Sequence, residues 1–234
     1  MGIRQIRAAI REHADETQAK NLQWFFKTGP GEYGEGDKFL GLKVPVIRKI
    51  ANANTDLTFS ELQKLLDSKY HEDRLAALLI LVKIFPKSGD EEKEKIFNFY
   101  LKNTANINNW DLVDLSAPKI TGEYLLTRNK DIIFGLAASD NLWERRIAVL
   151  TTFRFIKENQ YNTSLDICLK LLNDPHDLIH KAVGWMLREI GKRDLKAEED
   201  FLKIHYKQMP RTMLRYAIEK YPEKKRLAYL KGNI

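Results

Sequence analysis

Two short motifs place side chains that can do chemistry at a helical spacing. Asn109-Trp-Asp-Leu-Val-Asp114 sets a tryptophan and a carboxylate four residues apart, and Lys181-Ala-Val-Gly-Trp185 sets a cation and a tryptophan at the same interval. Residues four apart share one face of a helix. Both motifs fall into a wider register. Arg74-Leu-Ala-Ala-Leu78 resembles Arg146-Ile-Ala-Val-Leu150, 72 residues later; Trp110 lies 36 residues from each, and Lys181 follows Arg146 by 35. If these repeats superpose, Trp110, Asp114, Arg146, Lys181 and Trp185 line one surface. Two tryptophans, a carboxylate and two cations are poor choices for a dry core. They suit a cleft that grips a charged, ring-bearing ligand. The alternative is structural: Asp114 pairs with Arg146 between repeats, and Trp110 and Trp185 are half-buried packing residues.

The elements that must carry these residues read as helices nearly throughout. Leu75, Leu78, Leu79 and Val82 recur at helix-face intervals, as do Ile147, Leu150, Phe153 and Arg154. Thr58 with Glu61 forms a capping box, and Asp140 or Asn141 can cap the helix that follows. Pro45, Pro175 and Pro210 suit first turns, and Pro86, Pro118 and Pro222 mark breaks. The pattern predicts helices near 3–13, 17–27, 45–53, 59–66, 71–85, 91–101, 110–117, 119–126, 130–138, 141–157, 163–172, 176–191, 196–207, 211–219 and 222–230, with no alternating strands. A repeat of about 36 residues fits antiparallel helix pairs. The expectation is therefore an all-α, HEAT-like solenoid forming one domain over 1–234, with a concave face for a ligand. An irregular helical bundle is the alternative.

Charge suggests the class of partner. The chain of 234 residues carries a formal charge of +7. Residues 178–234 hold 14 Lys plus Arg against 7 Asp plus Glu, while the first 177 residues hold 25 of each. A basic C-terminal quarter on a neutral body points to a polyanion, since each phosphate contact releases condensed counterions. Arg211, Thr212 and Arg215 stand where a helix begins after Pro210, and free backbone N–H groups there favour an anion. With Lys181 and Arg188 they are the candidate phosphate contacts, giving affinity without sequence specificity. A solvated basic surface is the alternative. The single cysteine, Cys168, excludes an intramolecular disulfide and a cysteine-rich zinc site. No long apolar run suggests a membrane span, and the mixed charges of the first 16 residues lack the apolar centre of a secretory signal. The reading is a cytoplasmic monomer.

The ordered motifs resemble a known family. Asn109-Trp-Asp-Leu-Val-Asp114, Ser139-Asp-Asn-Leu-Trp-Glu-Arg-Arg-Ile-Ala148 and His180-Lys-Ala-Val-Gly-Trp-Met-Leu-Arg-Glu189 are similar to the AlkD-type DNA alkylation repair family of HEAT-like alkylpurine DNA glycosylases. Phe39-Leu-Gly-Leu-Lys-Val-Pro45 looks like its N-terminal signature, and the resemblance spans roughly residues 20 to 220. It implies cleavage of the N-glycosidic bond of purines alkylated at N3 or N7 in double-stranded DNA, with no metal and no cofactor. Trp110, Asp114, Arg146 and Trp185 match the catalytic face. The resemblance also implies contact with the lesion's backbone, without extrusion of the base into a tight pocket. Phe25 stands where the family can carry tyrosine, and the segment Gly29–Asp37 is longer than expected.

The implied chemistry suits these residue types. A purine alkylated at N3 or N7 is cationic and already a good leaving group. The sugar left behind is oxocarbenium-like and needs a negative neighbour, as in glycoside hydrolysis. One carboxylate at about 4 Å contributes about 4 kcal/mol at an effective dielectric near 20, or roughly a thousandfold in rate. Asp114 can also orient the attacking water. The tryptophans can face sugar and base, and Arg146 can hold a phosphate by two hydrogen bonds. The rival is a non-catalytic HEAT-like module for DNA or a protein, but a module has no need of a carboxylate facing phosphates.

Three other signals carry less. Gly29-Pro-Gly-Glu-Tyr-Gly34 fits a nucleotide-loop pattern, but a helix precedes it and Glu32, Glu35 and Asp37 would repel phosphates, so it reads as a flexible loop. His176 and His180 sit four apart without the glutamate of a zincin and read as a helix-start pair. Asp111 points off the shared face and reads as a surface or inter-helix contact.

Overall fold

Short side chains at helix starts shape this chain. The carboxylates of Asp15 and Asp194 and the hydroxyl of Thr58 each accept a bond from a backbone N–H three residues on. Asn141 accepts from the N–H of Trp143. Thr58 and Glu61 close the capping box in both directions. In a computed structural model that describes residues 2–234, these starts open helices and the described residues contain no named strand, only an isolated bridge between Lys38 and Tyr70.

The chain divides into two compact units, Met1–Ile120 and Thr121–Ile234. The first holds α1 (Ile3–Glu12), α2 (Glu16–Phe25), α3 (Val44–Asn52), α4 (Phe59–Leu66), α5 (His71–Ile84), α6 (Asp90–Lys102) and α7 (Trp110–Ser116). The second holds α8 (Thr121–Leu125), α9 (Asp131–Ala137), α10 (Leu142–Lys157), α11 (Asn162–Lys170), α12 (Asp177–Gly191), α13 (Leu195–His205), α14 (Arg211–Ala217) and α15 (Glu223–Lys231). The fold class is all-α, as expected. Two of the prolines sit differently from expectation. Pro210 is the N-cap of α14 rather than a first-turn residue, and Pro175 precedes α12, whose cap is His176.

Within each unit, the helices of the 36-residue register pack together: α5 against α7, and α10 against α12. In the first unit α5 also touches α3 and α4. It is consequently buried on every side from His71 to Leu81, and the one-sided stripe of a surface helix is lost. In the second unit α10 meets α8, α9, α11 and α12, and it too is buried over most of its length. Cys168 is a buried member of α11, and burial pushes its thiol up to about 12.

One glycine fixes how closely two helices approach. A Cβ on Gly184 of α12 would lie 2.4 Å from the carbonyl oxygen of Met213 and 2.5 Å from Cβ of Tyr216 on α14. Neither atom can swing aside, because one is backbone and the other is fixed to it. Gly135 of α9 has nothing within 4 Å of such a Cβ. Gly184→Ala is therefore expected to destabilise the protein by about 1–3 kcal/mol. Gly135→Ala should be neutral or stabilise by up to about 1 kcal/mol through helix propensity alone. Thermal melts of the two variants check this; equal effects of the same sign would contradict the close approach of α12 and α14.

Candidate active site

The first turn of α5 is a run of four polar residues with almost no solvent contact. His71, Glu72, Asp73 and Arg74 are 2%, 1%, 0% and 5% exposed. Buried charges persist only when paired or hydrogen-bonded, and each of these four finds its partners outside α5. Glu72 accepts bonds from the backbone N–H groups of Leu40, Gly41 and Leu42 at 2.8–3.2 Å. It thereby clasps the Phe39–Pro45 strip. Gly41 is required there: its φ is +97°, and a Cβ would come within 2.1 Å of the Asp15 carbonyl oxygen. Asp73 accepts from the Ser68 hydroxyl at 2.7 Å and faces Arg7 and Arg11 of α1 at 3.5 and 3.4 Å. Arg74 donates to Asp37 at 2.6 Å and to the Ser68 carbonyl at 2.9 Å.

His71 is bracketed by two carboxylates. Its Nδ1 lies 3.0 Å from Asp37 Oδ2 and its Nε2 lies 2.8 Å from Asp111 Oδ2. Burial opposes the charged ring, but Asp111 and Asp37 outweigh it and raise the pKa to about 9. Burial likewise disfavours the Asp37 anion, yet bonds and charges from His71 and Arg74 hold its carboxyl below the usual range. The result is a buried chain Arg74–Asp37–His71–Asp111. It ties the end of the glycine-rich segment to α5, and α5 to the first turn of α7. That segment is therefore anchored rather than loose. Gly34 N–H donates to the Lys27 carbonyl at 2.9 Å, and Glu32 and Glu35 accept from Gly29 and Gly31. Asp111 is the inter-helix contact of the two options its spacing left open.

Aromatic rings continue this anchor to Trp110. His71 stacks on Phe39 with centroids 4.5 Å apart, Phe39 on Phe26 at 5.0 Å, and Phe26 on Trp110 at 5.0 Å with planes 21° apart. Phe25 meets Phe26 and Trp110 edge-on. Beside this stack opens a cavity of about 420 Å³, walled by Leu22, Phe25, Phe26, Phe39, Leu42 and Trp110, with His71, Asp111 and Asp114 also in its lining. Trp110 and Asp114 thus share one chamber. At the other end of α7 the Tyr100 hydroxyl meets Ser116 at 2.9 Å.

The remaining expected residues lie in the second unit. Arg146 of α10 is 5% exposed and donates to the Leu178 carbonyl at 2.7 Å. Trp185 of α12 is half-buried, 5.5 Å from the Phe153 ring, and donates from Nε1 to Glu189 at 3.1 Å. Lys181 pairs with Asp177 at 2.6 Å, and Arg188 pairs with Glu219. Arg211 bonds the Leu230 carbonyl, Thr212 bonds Asp177, and Arg215 is exposed. His176 caps α12 by accepting from Leu178 N–H, and His180 Nε2 donates to the Asp174 carbonyl.

Sequence reasoning missed His71, Asp37, Arg74 and the aromatic walls Phe26 and Phe39 as site residues. Arg74 appeared only as a register position, and Asp37 only as a charge that would repel phosphate. A faint signal existed: four polar residues, His71 to Arg74, open a helix whose next residues are uniformly apolar.

The bracketed histidine gives a pH-dependent stability with a definite sign. A pKa raised from 6.5 to about 9 stabilises the folded state fully below pH 6.5, and that contribution is lost as pH rises through about 9. His71→Gln is expected to cost about 3–5 kcal/mol at pH 6 by leaving a buried carboxylate unpaired. Its deficit should shrink steadily toward pH 9.5. Glu198, whose carboxyl burial pushes up to about 8, loses stability between pH 4.5 and 8 in both proteins, so the difference isolates His71. Denaturant unfolding across pH 6 to 9.5 checks this; a deficit independent of pH would mean the ring is neutral.

Comparison with known proteins agrees with this architecture. The sequence model of the DNA alkylation repair enzyme family matches residues 6–221. Among solved structures, the chain resembles one described as "Predicted DNA alkylation repair enzyme from Enterococcus faecalis". Identity there is 15%, with 90% of this chain and 97% of that one covered, and the TM-score is 0.69. It also resembles AlkD2 from Streptococcus mutans at 18% identity, covering 95% and 100%, with a TM-score of 0.56. At such identities these likenesses speak for the fold alone. No curated protein matches the sequence. The family match spans both units and most of their helices, and the chain belongs to the DNA alkylation repair enzyme family.

Proposed function

We propose that this protein is a monofunctional DNA glycosylase that hydrolyses the N-glycosidic bond of cationic N3- or N7-alkylated purines in double-stranded DNA. The observation that carries the reading is Asp114 beside Trp110 in an aromatic chamber. A carboxylate among rings is a setting for a cation, and both the alkylated base and the oxocarbenium-like sugar are cations. In the reaction the C1′–N bond breaks with its electron pair going to the base, which cancels the base's positive charge. Water adds to C1′ and releases a proton, directly to Asp114 or through it to solvent. The products are a free base and an abasic site.

The other assignments follow the motif match. Trp185 serves as a further aromatic contact to the lesion. Arg146 exchanges its bond to the Leu178 carbonyl for phosphate oxygens. Lys181, Arg188, Arg211, Thr212 and Arg215 steady the backbone and supply the basic field of the C-terminal quarter. Because the family match runs unbroken from 6 to 221, we read both units as one catalytic domain, working as a cytoplasmic monomer. No metal or cofactor enters the scheme. Among the described residues, no helix is long and apolar enough to cross a membrane.

Two measurements test this. A duplex holding one 7-methylguanine should yield abasic sites with wild-type protein, and Asp114→Asn should slow single-turnover release on the order of a thousandfold. Wild type that binds the duplex but releases no base would leave only the DNA-binding module reading. Arg211→Ala should weaken duplex binding and reduce the salt slope of the affinity by about one unit; an unchanged slope removes Arg211 from the contacts.

A further inference from the structure

The two tryptophans of the proposed site are held by different means. Trp110 lies against Phe26 and meets Phe25 edge-on. Trp185 is held by a carboxylate. Its indole Nε1–H donates to Glu189 Oε1 at 3.1 Å, one turn further along α12. Phe153 of α10 meets the indole at a centroid distance of 5.5 Å, with the planes 47° apart. A hydrogen bond at one point and a ring contact at another set the plane of the indole. Phe153 already carries a cation, since the Lys157 ammonium lies 4.6 Å from its centroid. This pair of rings is therefore a setting that positive charge favours. Trp185 itself is half-buried, so part of its surface stays open to a ligand.

Glu189 is a costly choice for orientation alone. It is 8% exposed, and a carboxylate so nearly buried needs partners. Lys192 Nζ lies 2.5 Å from Oε1 and Arg193 Nη1 lies 3.9 Å from Oε2. Those two cations are 43% and 31% exposed, so water screens much of their charge. A glutamine would accept the indole bond without burying a charge. What the carboxylate adds is electronic. Hydrogen bonds polarise the groups they join, and an anion accepting from the indole N–H drives electron density into the ring. The negative face of the ring deepens, and a cation is drawn to it more strongly. Resting on the glycosylase reading, we infer that Glu189 is a positioning and specificity-determining residue: it fixes the Trp185 indole and enriches its ring, so that Trp185 favours a lesion carrying positive charge. The alkylated purine and the oxocarbenium-like sugar both meet that condition, and an undamaged nucleotide does not. Charge alone then distinguishes the lesion, with no pocket around the base, in keeping with the backbone contact that the family resemblance implies.

The test uses the full-length protein and two duplexes of one sequence. One carries a pyrrolidine abasic analogue, a cation at neutral pH that mimics the charged sugar. The other carries the neutral tetrahydrofuran analogue. Wild type is expected to bind the cationic duplex about tenfold more tightly. Glu189→Gln keeps an acceptor for the indole N–H and removes the charge. It should lower that preference about fivefold, while affinity for the neutral duplex and the melting temperature stay near wild type. Glu189→Ala also removes the bond, and should in addition weaken binding to the neutral duplex about threefold, because the indole is no longer held. Trp185→Phe has no N–H to donate, so in that background Glu189→Gln should change the preference by less than about twofold. An unchanged preference in Glu189→Gln overturns the inference. So does an undiminished loss in the Trp185→Phe background, because the charge would then act without the indole. Wild type that releases no 7-methylguanine yet keeps the charge preference sinks the glycosylase reading and leaves the role of Glu189 standing. Release of the base without any charge preference has the opposite meaning.

Discussion

A buried imidazolium between two carboxylates sets the geometry of the N-terminal unit. His71 has no water to solvate its charge, so its stability rests on Asp37 and Asp111, 3.0 and 2.8 Å away. Each of those carboxylates belongs to a different segment. Asp37 ends the glycine-rich turns, and Asp111 lies in the first turn of α7. A charge-assisted bond of this kind is strong and directional, and losing either partner strands a buried charge. The three segments therefore hold one arrangement. Trp110 neighbours Asp111 in that first turn, and Asp114 follows one helical turn later. Trp110 and Asp114 inherit their positions from that network.

The aromatic rings are the apolar half of the same device. His71 stacks on Phe39, and Phe39, Phe26 and Trp110 continue the pile. A tryptophan on an exposed helix face would sample several rotamers. Pressed against Phe26, which is in turn fixed by Phe39, its plane is set. This matters for the proposed reaction because the leaving group is already activated by its own charge. The enzyme has little bond-making to assist. Its task is to hold a flat cation and a carboxylate at fixed separation, and preorganised electrostatics of that kind need rigid supports.

Much of the fold was legible in sequence because its cues are local. Thr58 and Glu61, Asn141, and the 3.6-residue periodicity each act within one or two helical turns, and predicted and observed helices agree to about two residues at nearly every boundary. The pairing of Trp110 with Asp114 was legible for the same reason, being one turn of one helix. What stayed hidden depends on contacts across 30 to 40 residues. Glu72 reaches Leu40, Arg74 reaches Asp37, and His71 reaches both Asp37 and Asp111. No spacing rule links them. In sequence, His71-Glu-Asp-Arg74 looks like the solvated start of a helix, since four charged or polar residues in a row are ordinarily exposed. The glycine-rich segment misled in a similar way: its turns are fixed by a carboxylate at its far end and by backbone bonds to Lys27, neither of which composition reports.

The cations of the second unit show why charge counts and site geometry answer different questions. In sequence, Arg146, Lys181, Arg188 and Arg211 look like free contacts for phosphate. In the folded unit each already has a partner: Leu178, Asp177, Glu219 and Leu230 respectively. A partner at an exposed position costs little to exchange, because surface ion pairs contribute about 0–1 kcal/mol. Lys181 and Arg211 can therefore turn to a phosphate at small expense. Arg146 differs, being buried with its guanidinium against a backbone carbonyl, and a buried bond forfeited without replacement costs more. A phosphate that drew Arg146 away would have to arrive already seated by the outer cations. The long-range basic field of residues 178–234 survives all this pairing, because its 14 Lys and Arg outnumber its 7 Asp and Glu and leave seven positive charges uncancelled. In the proposed complex, attraction is therefore general, and the exchange of partners costs least at the exposed cations and most at Arg146.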